Sequence, residues 1–118
     1  MDSIALTLNA TAKDQVMTID VEPNGHRMTV RFQLKYLEYV QKYAISLWDA
    51  ATGDPIVTNV PVVASYDLIA NDLFRQVFYK GIGSMWCGPV VEHPTTVDPT
   101  LGTLNEYELI WGDTTWTN

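Results

Sequence analysis

The stretch YAISLWDAATGDPIVTNVPVVASYD, residues 43–67, decides the fold because it reads as two strands joined by a turn. Its first part alternates with a period of two, which is typical of a strand with two unlike faces. One face holds Tyr43, Ile45 and Leu47, and the other holds Ala44, Ser46 and Trp48. Residues 49–54 then favour a turn, since Gly53 accepts positive φ and the aspartates can bind nearby backbone. Pro55 suits a returning edge strand, so we predict a hairpin with a loop of about six residues.

A second hairpin is predicted at Asn24-Gly25, upstream of the first. An Asn-Gly pair between two alternating runs is a strong hairpin signal, because both residues tolerate positive φ. Residues 15–22 and 26–36 are those runs, and each has an apolar side. In the second run the side predicted to be buried comprises Met28, Val30, Phe32, Leu34 and Tyr36. A slip of one residue would expose all of them, so the register should be well specified.

The remaining segments predict further short strands. Residues 3–8 and 84–91 read as extended, residues 65–80 as a short helical turn followed by a strand, and residues 92–102 as a loop rich in Pro and Thr. Residues 103–112 are predicted to form the last strand, with Asn105, Tyr107, Leu109 and Trp111 facing the core.

These elements together predict an all-β fold. We expect one small domain, a β-sandwich or partly open barrel of roughly six to eight mostly antiparallel strands with at most one short helical turn. Residues 1–14 would form an N-terminal strand or extended arm, residues 15–112 the β domain, and residues 113–118 a tail. If this chain assembles with other proteins, deleting residues 1–14 is expected to block that assembly without unfolding the domain.

Composition excludes several classes of function. The chain has 118 residues, seven basic against fourteen acidic, and a net charge of −7. Binding to nucleic acid or to an anionic membrane needs clustered Lys and Arg, so neither is expected. No apolar run approaches the roughly 18 residues of a membrane helix, and the first residues lack the basic segment of a signal peptide.

Residues with catalytic or metal-binding chemistry are few and scattered. His26 and His93 have no partner at ligand spacing, and the single cysteine, Cys87, has no basic neighbour that would lower its pKa. We predict a buried, inert thiol. No nucleophile elbow or phosphate loop is present, and the pair Glu106 and Glu108 is typical of a solvated strand face. The sequence therefore predicts no enzyme, no metal and no cofactor.

A basic strip and one loop residue are candidate interface positions. Arg27, Arg31 and Lys35 share the polar face of the 26–36 strand. They either form a solvated face, paired with Asp20 and Glu22 across the hairpin, or dock an acidic partner. His93 joins the candidates because it lies in the 92–102 loop, and loops near that length are often functional.

The four tryptophans are predicted to differ in their roles. Trp48 and Trp111 have apolar strand neighbours and are predicted to be core, while the place of Trp86 stays open. Trp116 lies in a polar tail and is a candidate contact with a partner. An exposed Trp86 or Trp116 could also stack on sugar rings, which makes a small carbohydrate-binding module the alternative function; a merely solvated tail is the third interpretation of Trp116.

The order of motifs across residues 20–112 resembles the baseplate plug family of contractile-tailed phages and prophages. The matching pieces are Arg31-Phe32-x-Leu34-x-Tyr36, Tyr43-x-Ile45-x-Leu47-Trp48-Asp49, Thr52-Gly53-x-Pro55-Ile56, Val60-Pro61-Val62-Val63, Tyr66-Asp67-Leu68-Ile69, Gly81-Ile82-Gly83-Ser84-Met85-Trp86 and Leu104-x-x-Tyr107-x-Leu109-x-Trp111. The segment 74–80 is longer and more aromatic than the family pattern.

The resemblance implies a structural virion protein. Such a protein would be made in the host cytoplasm and built into the baseplate near the hub and the lower end of the tail tube. It would be present in several copies and contact hub, tube and wedge proteins. The family has no catalytic residues, so the resemblance transfers none.

Overall fold

Seven strands lie within the residues that the computed structural model describes, which are 4–6, 8–9, 11–64, 72–74 and 81–113. The strands are β1 (Ile4–Ala5), β2 (Asp14–Val21), β3 (Met28–Leu37), β4 (Lys42–Asp49), β5 (Pro55–Pro61), β6 (Ser84–Pro89) and β7 (Tyr107–Gly112). In these same ranges, two short 3₁₀ turns cover Pro23–Gly25 and Leu104–Glu106.

The strands form two antiparallel sheets, one in the order β2-β3-β4-β5 and the other in the order β1-β7-β6. The chain after β5 links them. The Val62 amide still donates to the Tyr43 carbonyl at 2.8 Å, and Ala64 makes an isolated parallel bridge to Cys87 in β6. The sheets face each other across one apolar core and do not close into a barrel. The predicted all-β domain is confirmed.

The predicted β2–β3 hairpin is present with the expected inward face. Asn24 and Gly25 have φ of 53° and 79°, the positive values that the turn requires. Val21 lies opposite Met28, and the register continues without a shift along both strands. On β3, the side chains of Val30, Phe32 and Leu34 are fully buried, while those between them face outward.

The β4–β5 hairpin also forms as predicted. The Asp49 carboxylate accepts hydrogen bonds from the amides of Ala51 at 2.8 Å and Thr52 at 3.1 Å, which closes the loop. Gly53 takes φ of 77° within it. An aspartate at the start of the loop and a glycine near its end thus act as the sequence indicated.

β4 differs from the expected two-faced strand, because residues 43–47 are buried on both sides. Ala44 and Ser46, which belong to the outer face, have only 2% and 6% of their surface exposed. The strand lies between β3 and β5, whose side chains flank these two small ones. The Ser46 hydroxyl accepts a hydrogen bond from the Asn59 amide at 3.0 Å, where the register with β5 shifts.

Trp111 lies at the centre of the core. Its side chain is fully buried, its indole Nε1–H donates to the Ile82 carbonyl at 2.7 Å, and its ring meets Phe74 edge-on at 5.6 Å between centroids. The polar atom of this large side chain is therefore satisfied inside the fold. The predicted place of Trp111 in the core is confirmed.

The prediction that residues 103–112 form one strand is wrong in its first part. Leu104–Glu106 form a 3₁₀ turn, and β7 begins at Tyr107. The turn changes the side that each residue faces, so Leu104 is buried and Asn105 is exposed, the reverse of the expected alternation. From Tyr107 onward, the predicted inward positions are correct.

The N-terminal segment packs against the domain where it is described. Ile4 and Ala5 pair with Trp111 and Ile110, and Leu6 and Leu8 are half-buried against the core. Deleting residues 1–14 would thus remove core contacts and also Asp14, the first residue of β2. We therefore expect the deletion to lower the stability of the domain; that the shortened chain still folds stays a prediction. The predictions for residues 65–71 and 75–80 and for Trp116 lie outside the described residues.

Candidate functional site

The loop between β6 and the second 3₁₀ turn is held in one shape by its own threonines. The Thr103 hydroxyl accepts a hydrogen bond from the Thr100 amide at 2.9 Å and lies 3.1 Å from the Thr96 hydroxyl. The Thr96 hydroxyl also donates to the Asp98 carbonyl at 2.6 Å. These bonds replace the strand ladder that this segment lacks, so the loop is an ordered structure.

The same loop is anchored to the strand that follows it. The Tyr107 hydroxyl donates to the Thr96 carbonyl, and the Glu106 carboxylate accepts from the Thr95 amide at 2.8 Å and from its hydroxyl at 3.0 Å. The Val90 amide donates to the Glu106 carbonyl at 2.8 Å. The start and the middle of the loop are therefore fixed to Glu106 and Tyr107.

Asp98 joins this loop to the other sheet. One of its carboxylate oxygens lies 2.6 Å from the Lys42 ammonium at the start of β4, and the other accepts from the Ala64 amide at 2.9 Å. The side chains of Lys42 and Asp98 are 37% and 18% exposed, so solvent screens this pair less than it screens a fully exposed one. The pair holds the loop against the β3–β4 turn.

Large apolar side chains are exposed on both sides of this ion pair. Tyr39 and Val40, in the β3–β4 turn, are 83% and 47% exposed, and Val97 in the loop is 87% exposed. A groove of about 380 Å³ lies between the turn and Pro61, and one of about 490 Å³ lies between the loop and Ala64. We call the surface formed by Tyr39, Val40, Lys42, Val97 and Asp98 the loop-end surface.

The basic strip is exposed as predicted, but its charges are not paired as one interpretation expected. Arg27, Arg31 and Lys35 all face solvent. The Asp20 carboxylate accepts a hydrogen bond from the Thr29 hydroxyl. The ion pairs in the described part of the chain are Lys13–Glu38 and Lys42–Asp98, and neither includes a residue of the strip.

Trp48 is only partly buried, so its predicted place in the core is wrong. It lies on the outer face of β4, opposite Arg31, whose guanidinium carbon is 5.2 Å from the centroid of the indole ring. This is a cation–π distance, and the exposed Arg31 side chain lies over the partly buried indole ring. Trp86 is half-buried on β6, opposite Ile110.

The two histidines lie apart on the surface, His26 beside the β2–β3 turn and His93 in the loop after β6. Within ranges 4–6, 8–9, 11–64, 72–74 and 81–113, no group of three or more His, Cys, Asp or Glu side chains is placed to hold a metal ion. None of the helical turns in those same ranges has the length and apolarity that a bilayer crossing requires.

Cys87 is 1% exposed, which confirms the predicted buried thiol. Burial, with smaller contributions from the carboxylates of Asp98 and Glu108, raises the pKa of this thiol to about 12. Since the thiolate is the reactive form, we expect iodoacetamide to modify the native protein at least about a hundredfold more slowly than the unfolded chain at mildly alkaline pH. Mass spectrometry of timed samples measures both rates; equal rates would contradict the burial.

The loop-end surface could be found only in part from the sequence. The Pro and Thr content of residues 92–102 marked a loop, and His93 was singled out within it. Tyr39 and Val40 had no pattern that distinguished exposed from buried, and Lys42 and Asp98 are 56 positions apart in the chain. Their contact depends on the packing of the two sheets.

Comparisons with known proteins do not assign this site. No model of a known protein family matches the sequence, and no curated protein matches it.

Proposed function

We propose that this chain is a structural assembly protein of a contractile phage tail baseplate, and that it binds neighbouring tail proteins through the loop-end surface. The observation that supports this best is the exposure of Tyr39, Val40 and Val97 on two ordered segments joined by the Lys42–Asp98 pair. The resemblance of residues 20–112 to baseplate plug proteins supports the choice of assembly.

Exposure alone would be weak support, because single apolar residues are common on protein surfaces. Here the exposed residues border two grooves and sit on backbone that is already ordered. A partner that covers them has little loop entropy to remove on binding, and this favours affinity. A tyrosine beside aliphatic side chains is also a typical centre of a protein interface.

The test is co-assembly with the proteins of a contractile tail. The chain is produced together with the tail-tube, hub and wedge proteins, and assembled tails are examined by electron microscopy and mass spectrometry. We expect the wild-type chain to be incorporated. We expect the double variant Tyr39→Asp with Val97→Asp to be incorporated at least about tenfold less, because each aspartate would be desolvated without a partner.

Ala51→Asp provides the matched control. It places a new carboxylate in the exposed β4–β5 turn, at the other end of β4 from Lys42, roughly 24 Å away. This variant should be incorporated as well as the wild type. Normal incorporation of the double variant would refute the loop-end surface, and absence of the wild-type chain from assembled tails would refute the baseplate role.

A further inference from the structure

β2 is an edge strand, and among the described residues no strand pairs with its outer side. Three other strands also lie at sheet edges, but each is short or protected. β1 has two residues, and β5 has a proline at each end and shifts its register with β4. The edge of β6 is covered by Ala64 and by the Leu73 amide, which donates to the Met85 carbonyl at 2.7 Å. β2 is eight residues long, without proline or bulge.

The backbone groups on the open side of β2 can be identified from its pairing. The Tyr36 amide donates to the Lys13 carbonyl at 2.6 Å, so residues 13, 15, 17 and 19 exchange hydrogen bonds with β3. Residues 14, 16, 18 and 20 therefore direct their N–H and C=O groups away from the sheet. No other described strand pairs with β2 on that side. Such an edge is a template for an added strand.

Side chains on the open edge discriminate among possible added strands. The residues whose backbone groups point away from the sheet also have exposed side chains: Asp14, Val16, Thr18 and Asp20. Val16, in the middle of these four, is 54% exposed. An antiparallel pair with a second copy of β2 must place residues of this set opposite one another. Like charges that face each other across such a pair are unfavourable, so the registers differ in energy.

A symmetric pair centred on Val16 avoids every acid–acid contact within β2. With Val16 opposite Val16 of the second copy, Asp14 faces Thr18, whose hydroxyl can donate to the carboxylate, and Asp20 faces Ala12. A pair centred on Met17 would instead place Asp14 opposite Asp20, twice, and one centred on Thr18 would place Asp14 opposite Glu22, twice. A pair centred on Gln15 has no such contact, but it forms two outward residue pairs within β2 where the Val16 register forms three. The Val16 register also buries the exposed valine of each chain at the two-fold axis.

We infer that β2 pairs with β2 of a second copy, centred on Val16, and joins the two four-stranded sheets into one sheet of eight strands. The pairing adds six backbone hydrogen bonds, two for each of the residue pairs 14–18, 16–16 and 18–14. Because each chain has a net charge of −7, the dimer should strengthen with ionic strength. This inference does not depend on the baseplate role, since it rests on the backbone groups of β2 and not on the loop-end surface.

Sedimentation of the whole purified chain tests the pairing. We expect a species of twice the 13.3 kDa chain mass that dissociates on dilution and persists to lower concentration in high salt. Val16→Lys places two ammonium groups at the axis and should weaken the dimer at least about tenfold. Val97→Lys, an exposed valine on the loop-end surface, should leave it unchanged. A wild-type chain that stays monomeric to its solubility limit, or a Val16→Lys dimer of normal affinity, would overturn the inference.

Cysteine cross-linking tests the register. In the proposed pair the two copies of residue 16 lie roughly 5.5 Å apart, whereas the two copies of residue 20 lie roughly 27 Å apart. A short bismaleimide should therefore join Val16→Cys into a covalent dimer and leave Asp20→Cys monomeric. The native Cys87 is buried and does not compete. Equal cross-linking of the two variants, or none at Val16→Cys, would contradict this register.

Discussion

Gly83→Ala is expected to lower the free energy of unfolding by about 4 kcal/mol or more, which corresponds to a fall in Tm of roughly 15 °C. Two separate costs contribute. Gly83 has φ of 83°, which an alanine adopts only with strain. A Cβ at this position would also lie 2.2 Å from the Gly112 carbonyl oxygen and 2.9 Å from the Cβ of Pro23.

The position of Gly83 explains why the clash cannot be relieved cheaply. Gly112 ends β7, and Pro23 begins the turn between β2 and β3, so Gly83 brings the start of β6 against both sheets. The nearest atom is a backbone oxygen, which can move only if the strand moves. Separation of β6 from β7 would also disturb Trp111, whose indole bonds the carbonyl of Ile82.

Gly81→Ala separates the two costs. Gly81 has φ of 68°, but apart from its chain neighbours no atom of the described residues lies within 4 Å of the place where its Cβ would be. This variant should therefore cost only about 1–2 kcal/mol, the strain of a positive φ. Chemical denaturation of both variants measures the difference. If Gly83→Ala were no less stable than Gly81→Ala, the close approach of Gly83 to Gly112 would be wrong.

The β2–β3 hairpin could be predicted from the sequence because its causes are local. Asn24-Gly25 supplies the two positive φ values of the turn, and the alternation on both sides leaves only one register that buries the apolar set. β4 was less predictable. Whether Ala44 and Ser46 are exposed depends on the strands beside them, and a small side chain is compatible with either outcome.

The start of β7 shows how a local pattern can mislead. Residues 103–112 alternate well enough to suggest one strand, yet Leu104–Glu106 form a 3₁₀ turn. With this turn in place, the Glu106 carboxylate accepts a hydrogen bond from the Thr95 amide, and the Thr103 hydroxyl accepts one from the Thr100 amide. These partners lie across the loop, so their contribution cannot be read from the periodicity of the strand alone.

Most of the loop-end surface could not be predicted from the sequence, for a related reason. Whether an apolar residue is buried depends on what packs over it, and the residues around Tyr39 and Val40 have no pattern that shows which side faces the core. The structure places them in a turn where Gln41 has φ of 54°, and both side chains face solvent. The basic strip, in contrast, was predictable because the polar face of an alternating strand is defined by its own residues.

Asp72 has no counterpart in any motif of the sequence, although the structure gives it a central place. Its side chain is 7% exposed and lies beside the covered edge of β6. One carboxylate oxygen accepts the amides of Phe74 at 2.9 Å and Met85 at 3.0 Å, and the other accepts the Ser84 hydroxyl at 2.7 Å. The Met85 amide points away from β7, and the Asp72 carboxylate accepts its hydrogen bond as the backbone carbonyl of a neighbouring strand would.

Asp72→Ala is accordingly expected to lower the free energy of unfolding by about 3–5 kcal/mol, since two buried amides lose a charged acceptor and Ser84 loses this partner. Asp72→Asn is the matched control: its amide oxygen can keep both backbone bonds, and its NH₂ group can donate to the Ser84 oxygen. It should cost only about 1–2 kcal/mol. Urea denaturation of both variants measures these values, and hydrogen exchange of the Met85 amide reports the local bond.

Equal losses of stability in Asp72→Ala and Asp72→Asn would mean that the negative charge matters more than the hydrogen-bond geometry. Near-wild-type stability of Asp72→Ala would mean that the edge of β6 is covered without this carboxylate.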